Sequence, residues 1–201
     1  MVKTVTKKRG KSGGWNKGVG VGPKRAFTLE QVQLIRATLD AVGDKRELAL
    51  FETGISTVLR SSDLLSLRVS DVMAEGGVID SFHVRQGKTQ RNVLVSLSDK
   101  AKVALAAYIT EVDLDPCDKL WKIGRLRHSQ LVKKWARMAY TDPRFYSTHS
   151  IRRTTPTYIH KETGSHEIPR KLLGHVNLAR TATYLGVEDV EAHAIKKRLE
   201  M

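Results

Sequence analysis

Apolar residues recur every three or four positions through most of the chain, which is the spacing of amphipathic helices. The first such set is Leu29, Val32, Ile35 and Leu39. Thr28 and Gln31 have the spacing of a capping box, so this helix is predicted to begin after Thr28. Asp44 and Glu47 repeat that spacing and predict the start of a second helix. Its apolar face is formed by Leu48, Phe51 and Ile55.

Six further helices are predicted from similar signals. They start at residue 61 or 62 and run to 67, from 98 to about 112, around 131–138, from after 149 to near 164, around 168–173, and around 184. Pro156 falls inside the helix that follows His149. A proline removes a backbone donor, so that helix is expected to end or kink at Pro156, or to start late.

Two stretches are strand-like instead, residues 78–84 and 91–97. In the second stretch Val93, Val95 and Leu97 alternate with polar residues, which is typical of a half-buried strand. The segment between them, QGKTQ at 86–90, is predicted to be a hairpin tip. The chain is therefore predicted to be a mainly α (α+β) domain with one small antiparallel sheet.

The charge balance narrows the possible partners. The chain has 35 Lys and Arg residues against 21 Asp and Glu, a net charge of +14 and a pI of about 10.0. This balance favours a polyanionic partner, because each phosphate contact releases condensed counterions. A ribosome-associated protein or a merely basic soluble protein is the alternative.

The basic charge is densest at the N-terminus. Residues 1–25 contain no acid and carry Lys3, Lys7, Lys8, Arg9, Lys11, Lys17, Lys24 and Arg25. With so little apolar surface to bury, they are predicted to form a flexible basic arm. The eight charges of this arm leave +6 for residues 26–201, so the predicted globular domain is basic in its own right.

Composition also bears on the compartment. Cys117 is the one cysteine, so no internal disulfide is possible and the reducing cytoplasm is expected. No apolar run approaches the roughly 18 residues of a membrane span, and no apolar segment follows the basic start as in a secretory signal.

Three positions have features that suit phosphate chemistry. His149 and Arg152, at i and i+3, share a helix face, and an arginine fork donates two parallel hydrogen bonds to a phosphate. Arg60 precedes a helix start, where a cation opposes the helix dipole unless an anion joins it. The alternatives are a surface histidine and arginine in a basic protein, and a surface pair between Arg60 and Asp63.

Three more candidates have equally plain alternatives. Lys88 lies beside Gly87 at the hairpin tip, from which it can reach a groove and deliver a proton, or simply remain solvated. His175 follows Gly174 at a helix end, where a histidine commonly interacts with the dipole. Tyr184 lies nine residues farther along, and taken alone it is explained by packing or exposure.

The order of these residues resembles the catalytic set of the tyrosine recombinases, or phage integrase family. The stretches that carry the resemblance are residues 53–60 with 67–72, QGKT at 86–89, THSIRR at 148–153, LLGH at 172–175 and YLGV at 184–187. They occur once and in order. The resemblance is to the short integrase-like members of bacteria and their mobile elements, and it implies the tyrosine recombinase catalytic-domain fold in residues 26–201.

The resemblance implies a site-specific DNA recombinase that cuts and rejoins DNA through a 3′-phosphotyrosine. Tyr184 would be the nucleophile, and Arg60 and Arg152 would clamp the non-bridging phosphate oxygens. Lys88 would be the general acid for the 5′ oxygen, and His149 would accept or share the tyrosine proton. The sixth member is His175, which would hydrogen-bond a phosphate oxygen.

Cofactors and partners follow from the same resemblance. Two arginines take the place of metal ions, and the covalent bond conserves the phosphodiester energy, so no metal, cofactor or ATP is expected. Double-stranded DNA is the expected partner, in the cytoplasm at the nucleoid and away from membranes, with four copies in the synaptic complex. The expected DNA contacts are Lys7, Lys8, Arg9, Lys11, Lys17, Lys24, Arg25 and Arg153.

Some features depart from the family or leave alternatives. Asp63 stands where many relatives have glutamate, and only the arm occupies the place of the separate core-binding domain, about a hundred residues long, of larger integrases. The amphipathic segment with Val190, Ala194, Ile195 and Leu199 would dock on a neighbour or close its own core. A non-cleaving DNA-binding regulator and a type IB topoisomerase-like enzyme are the alternative functions.

Overall fold

The computed structural model describes residues 24–175 and Thr181, and this part of the chain is mostly helical. Its helices are α1 (Leu29–Val42), α2 (Lys45–Thr57), α3 (Ser61–Leu64), α4 (Val69–Val72), α5 (Asp99–Val112), α6 (Arg125–Met138), α7 (Thr148–Thr163) and α8 (Glu167–Leu173). The strands are β1 (Met73–Ala74), β2 (Gly77–Val78), β3 (Ser81–Arg85) and β4 (Asn92–Ser96), and Pro143–Phe145 form a 3₁₀ turn.

The predicted helix starts are confirmed where a side chain caps the helix. Thr28 and Gln31 form both bonds of a capping box at α1. Asp44 accepts a hydrogen bond from the Glu47 amide at α2, and Ser98 caps α5 in the same way. Each cap satisfies an amide that has no partner inside the helix, so these boundaries are determined locally.

The predicted strand 78–84 is wrong as one continuous element. β2 ends at Val78 after a tight turn from β1, and β3 begins at Ser81. In between, the Ile79 amide donates to Val72 O at 2.9 Å and Asp80 O accepts from the Leu97 amide at 2.8 Å. These bonds hold the chain at a bend, so two two-stranded antiparallel sheets form, β1–β2 and β3–β4.

Of the outcomes expected at Pro156, an end of α7 and a late start are both wrong, because the helix runs from Thr148 through Pro156 to Thr163. Thr154 on α7 donates to the Ser150 carbonyl at 2.8 Å, and Thr155 donates to the Ile55 carbonyl of α2 at 2.7 Å. The Thr155 bond and the burial of Pro156 hold the helix on α2, and the single lost backbone bond is tolerated.

The core lies around α2, which packs against α1, α5 and α7, while α6 closes the side next to α1 and α7. Trp135, Trp121, Phe51 and Phe27 are among its largest buried side chains. Burial of each such side chain contributes about 1.5–3 kcal/mol. The β3–β4 hairpin lies at the edge of this core and contacts α8 through β4. In the part of the chain that the structure describes, no helix has the length and apolar character of a membrane span.

Candidate active site

The tip of the β3–β4 hairpin is a tight turn that presents Lys88 to solvent. The Gln86 amide donates to Arg91 O, and the Gln90 amide donates to Gln86 O, both at 2.8 Å. Gln90 has a φ of 55°, the left-handed conformation that lets the turn close. The Gly87 amide donates to Asp63 Oδ1 at 3.1 Å and thereby ties the tip to α3.

Arg60 lies on the short connection between α2 and α3. The preceding Val58 is left-handed, with a φ of 56°, which is strained for a β-branched residue and turns the chain sharply at the end of α2. Arg60 is mostly buried, and its Nη1 donates to Gln86 Oε1 at 2.5 Å. Its other neighbour is the buried carboxylate of Asp63, whose Oδ2 lies 4.0 Å from Nη1.

Arg152 is buried on α7 and connects three segments of the site. Its Nη1 donates to the carbonyl of Val58 at 2.6 Å, and its Nη2 donates to the carbonyl of Leu173 at 2.7 Å. Val58 precedes Arg60 by two residues, and Leu173 precedes His175 by two. The guanidinium thus holds the segments of two other candidate residues next to α7.

His149 lies one helical turn before Arg152 and is surrounded by positively charged side chains. Burial of part of its surface lowers its pKa below the usual histidine value although the residue as a whole is exposed. The positive charges of Arg152, Arg153, Arg60 and Lys88 lower that pKa further. His149 is therefore mostly neutral at pH 7 and is able to accept a proton, and all four cations are close enough to act on it.

His175 lies at the end of α8, where Gly174 takes the left-handed conformation that follows many helices. Its ring Nδ1 is 3.2 Å from Thr181 Oγ1. Beside it, a cleft of about 380 Å³ lies between β4 and α8 and is lined in part by Arg91 and Arg170. Arg170 pairs there with Glu167, so Arg91 is the residue that extends the positive charge of the site toward β4.

The structure brings four of the six predicted catalytic residues together, namely Arg60, Lys88, His149 and Arg152, and links His175 to them through Arg152. Tyr184, its predicted helix and the segment with Val190 lie outside the described residues, as do positions 1–23 of the predicted arm.

The remaining predicted DNA contacts lie in two places. Arg153 is buried next to Arg152 and acts on His149. Lys24 and Arg25, the last residues of the predicted arm, lie against the 3₁₀ turn. There Lys24 donates to Arg144 O at 2.8 Å, and the Arg25 guanidinium is 4.3 Å from the Phe145 ring centre. In residues 24–175 and Thr181, no three His, Cys, Asp or Glu side chains gather as a metal site would require.

Sequence reasoning missed the residues that hold the catalytic candidates in place. Gln86 was assigned only to the hairpin tip, yet it bonds to Arg60. Asp63 was given two interpretations, a surface partner of Arg60 and the counterpart of a glutamate in relatives, and it is 3% exposed and anchors the Gly87 amide. The position of Gln86 directly before a turn glycine was the available signal for that residue, whereas no local pattern indicated the left-handed Val58.

The arrangement suits an anion whose negative charge increases during reaction. Arg60 and Arg152 each bond to neutral oxygens in the contacts described above, so these bonds orient the guanidinium groups without cancelling their charge. Preorganised cations of this kind stabilise a developing oxyanion strongly. Neutral His149 adds a proton acceptor, and exposed Lys88 adds a donor on the hairpin.

The chain is similar to known proteins in sequence and in fold. The model of the phage integrase family matches residues 25–191. A tyrosine recombinase of Pseudothermotoga lettingae is 31% identical over 147 residues, which cover 71% of this chain and 50% of that protein. The chain spans about half the length of the first curated relatives it matches.

Two solved structures share the fold. The XerA recombinase superposes with a TM-score of 0.70 at 18% identity, over 89% of this chain and 66% of that one. The XerH site-specific recombinase, bound to a palindromic difH substrate in a post-cleavage complex, gives a TM-score of 0.69 at 17% identity, over 94% and 57%.

Proposed function

The chain belongs to the phage integrase family, and from this membership we propose that it carries the catalytic part of a site-specific DNA recombinase. The observation that carries the proposal is the convergence of Arg60, Lys88 and Arg152 on His149, with the histidine kept neutral. The tyrosine recombinase of Pseudothermotoga lettingae and the DNA-bound XerH complex support the same activity. Double-stranded DNA is then the substrate, and the nucleoid is the expected place of action.

The reaction begins with attack of the Tyr184 oxygen on a DNA phosphorus. Arg60 and Arg152 bind the non-bridging oxygens and stabilise the charge that they gain. The phenol proton passes to His149, which its lowered pKa keeps in the accepting form. His175 donates a hydrogen bond to one phosphate oxygen.

Breakage of the bond from phosphorus to the 5′ oxygen completes the step. Lys88 gives its proton to the leaving oxygen, so the products are a 3′-phosphotyrosine and a free 5′-hydroxyl. The reverse reaction with a 5′-hydroxyl from another strand rejoins the DNA, because the phosphotyrosine retains the energy of the phosphodiester. The step uses only side chains, and we expect it to proceed in excess chelator.

A covalent trapping experiment tests the nucleophile. On a nicked duplex that releases the short fragment carrying the new 5′-hydroxyl, the chain should form an adduct that survives denaturant, and Tyr184→Phe should bind DNA but form none. Tyr158→Phe is the matched control. The hydroxyl of Tyr158 accepts a hydrogen bond from the backbone amide of Leu29 at 2.6 Å, so its role is in the fold. An adduct in Tyr184→Phe would contradict the assignment. Binding by the unmodified chain without any adduct would identify a non-cleaving regulator.

We propose further that residues 1–23 contact DNA phosphates and act as a separate arm. They carry six positive charges, and Lys24 and Arg25 after them are held by the 3₁₀ turn. If half of the six charges touch phosphates, deletion of residues 1–23 should reduce the salt slope of binding by about 3, on specific and random DNA alike. An unchanged slope would show that the arm does not lie on DNA.

Assembly of four copies on two duplexes is the remaining part of the proposal, taken from the family resemblance. Mass measurement of the complex with two duplexes, each carrying two half-sites, tests it. Two copies per duplex joined as a tetramer is the expected result, and isolated one-to-one complexes would contradict it.

A further inference from the structure

Gln86 is a buried polar residue in an otherwise exposed turn. It is 1% exposed, although Gly87 and Lys88 beside it are exposed. Burying an amide costs free energy unless its atoms find hydrogen-bond partners, so such a side chain is expected to have a specific set of contacts.

The Gln86 side chain joins the hairpin to the connection that precedes α3. Its Oε1 accepts from Arg60 Nη1 at 2.5 Å and from Thr89 Oγ1 at 2.8 Å. The Thr89 bond keeps this oxygen inside its own turn, and the Arg60 bond reaches back 26 residues. One oxygen atom therefore fixes the guanidinium of Arg60 relative to the tip that carries Lys88.

The amide end of Gln86 lies against a third segment, the turn at the end of α8. A Cβ added at Gly174 would lie 3.1 Å from Gln86 Nε2 and 2.9 Å from Val93 Cγ2. Gly174 is left-handed and is followed by His175. Gln86 is therefore enclosed by the Arg60 connection, its own turn and the segment that leads to His175.

We propose that Gln86 is a positioning residue for Arg60, which it orients toward the scissile phosphate and locks to the hairpin. The proposal deepens the function proposed above and rests on it, since Arg60 must bind the reacting phosphate. Gln86 acts through Arg60 and does not touch DNA.

The choice of an amide matters because it is neutral. A carboxylate at position 86 would pair with Arg60 as an ion pair, next to the carboxylate of Asp63 that is already 4.0 Å away. A second carboxylate would offset the guanidinium charge further, whereas the glutamine oxygen directs the same hydrogen bond without adding negative charge. An apolar residue of similar shape would leave the guanidinium unguided.

Single-turnover cleavage of a nicked duplex tests the proposal with Gln86→Glu and Gln86→Met. Each should lower the cleavage rate at saturating DNA by roughly tenfold or more, because a new carboxylate offsets the charge of Arg60 in the first variant and the orienting hydrogen bond is lost in the second. The DNA concentration giving half the maximal rate should change by less. Gln90→Glu is the matched control, because it places the same charge in the same turn on an exposed residue that does not contact Arg60. It should cleave within about twofold of the unmodified chain.

A double-mutant cycle shows whether Gln86 acts through Arg60. In an Arg60→Ala background, Gln86→Met should cause no further loss of rate. Thermal unfolding of each variant, measured beside the rates, identifies any that fail to fold, and Gln86→Met and Gln86→Glu are independent routes to the same answer. Equal, additive losses in both backgrounds would overturn the proposal.

DNA with sulfur in place of the 5′ bridging oxygen separates a positioning role from a loosened hairpin. Sulfur leaves without a proton, so Lys88→Met should regain rate on this DNA, whereas Gln86→Met and Arg60→Ala should stay slow. Recovery of Gln86→Met to the level of Lys88→Met would mean that Gln86 only holds the hairpin, and would overturn the proposal. If Arg60→Ala itself cleaves normally, the proposed function fails instead, independently of Gln86.

Discussion

Positively charged side chains have different hydrogen-bond partners on two sides of the molecule, the side around α6 and the side around the β3–β4 hairpin. On the α6 side, buried Glu47 accepts from Lys134 Nζ at 2.9 Å and from Trp135 Nε1 at 3.1 Å. Arg36 of α1 pairs with buried Glu52 of α2 in the same way, at a place that faces the start of α5. On the hairpin side, Arg60 hydrogen-bonds to an amide oxygen, and the buried Asp63 carboxylate stays 4.0 Å from its Nη1. A hydrogen-bonded carboxylate offsets the charge of its cation, whereas an amide oxygen orients the cation without adding negative charge.

His128 and His149 differ in the cause of their lowered pKa. Burial alone lowers the pKa of His128 to about 4, and its Nδ1 lies 2.8 Å from Ser61 Oγ. The pKa of His149 is lowered by burial and by the charges of four cations as well. Both are neutral at pH 7, but an anion bound among the cations would raise the pKa of His149 and leave that of His128 unchanged.

The largest expected effect comes from exchanging arginine for lysine on each side. Arg60→Lys and Arg152→Lys should each lose on the order of a hundredfold or more in cleavage rate, because lysine is a point donor that cannot hold two oxygens. Arg36→Lys is the control, because this arginine pairs with buried Glu52 outside the candidate site. The variant should cleave normally and have a slightly reduced free energy of unfolding. Near-normal cleavage in both site variants would erase the contrast between the two sides.

A smaller effect is expected on the free energy of unfolding of the protein in acid, through His128. Because the pKa of His128 is about 4 when folded and near 6.5 when unfolded, the unfolded chain binds more protons between these values. The stability due to neutral His128 is complete above pH 6.5 and is lost as pH falls toward 4, on the order of 3 kcal/mol in all.

Urea unfolding of the unmodified chain and of His128→Asn at several pH values measures this loss. Asparagine places a polar atom near the position of Nδ1 but does not titrate, so the variant should lose less stability between pH 6.5 and 4, whatever its stability at pH 7. Parallel curves for the two proteins would show that His128 does not titrate in this way.

The smallest effect concerns the pKa of His149 itself. Lys88→Met removes one of the four cations, the last in order of influence, so the pKa should rise slightly toward the usual histidine value. Arg152 and Arg153 act more strongly, and Arg153→Met should raise it further. NMR titration of the ring protons gives these values directly, and a lower pKa in either variant would mean that the cations do not act on His149.

The sequence was sufficient where the determining contacts are local. The caps at Thr28, Asp44 and Ser98 lie within three residues of their partners, so those helices were predicted correctly. The break at Ile79 and the continuity of α7 through Pro156 depend on bonds to distant segments, which no window of sequence contains.

The candidate site divides in the same manner. The catalytic residue types and their order were assigned from the resemblance to the tyrosine recombinases, and the structure places Arg60, Lys88 and Arg152 close to His149. The contacts that orient these side chains could not be predicted, because they join distant parts of the chain. The bond from Arg60 to Gln86 spans 26 residues, and the bond from Arg152 to Val58 spans 94. Such support is visible only once the fold is known.

Arg152 imposes an order on how the proposed activity can be lost in evolution. Its guanidinium ties α7 to the carbonyls of Val58 and Leu173, so a lineage that discards it must rebuild the junction of three segments at the same time. Loss of the hydroxyl of Tyr184 does not break either of those two bonds. A descendant that has abandoned strand cleavage is therefore expected to keep this arginine long after its tyrosine has drifted, and an intact arginine alone is poor proof of a working enzyme.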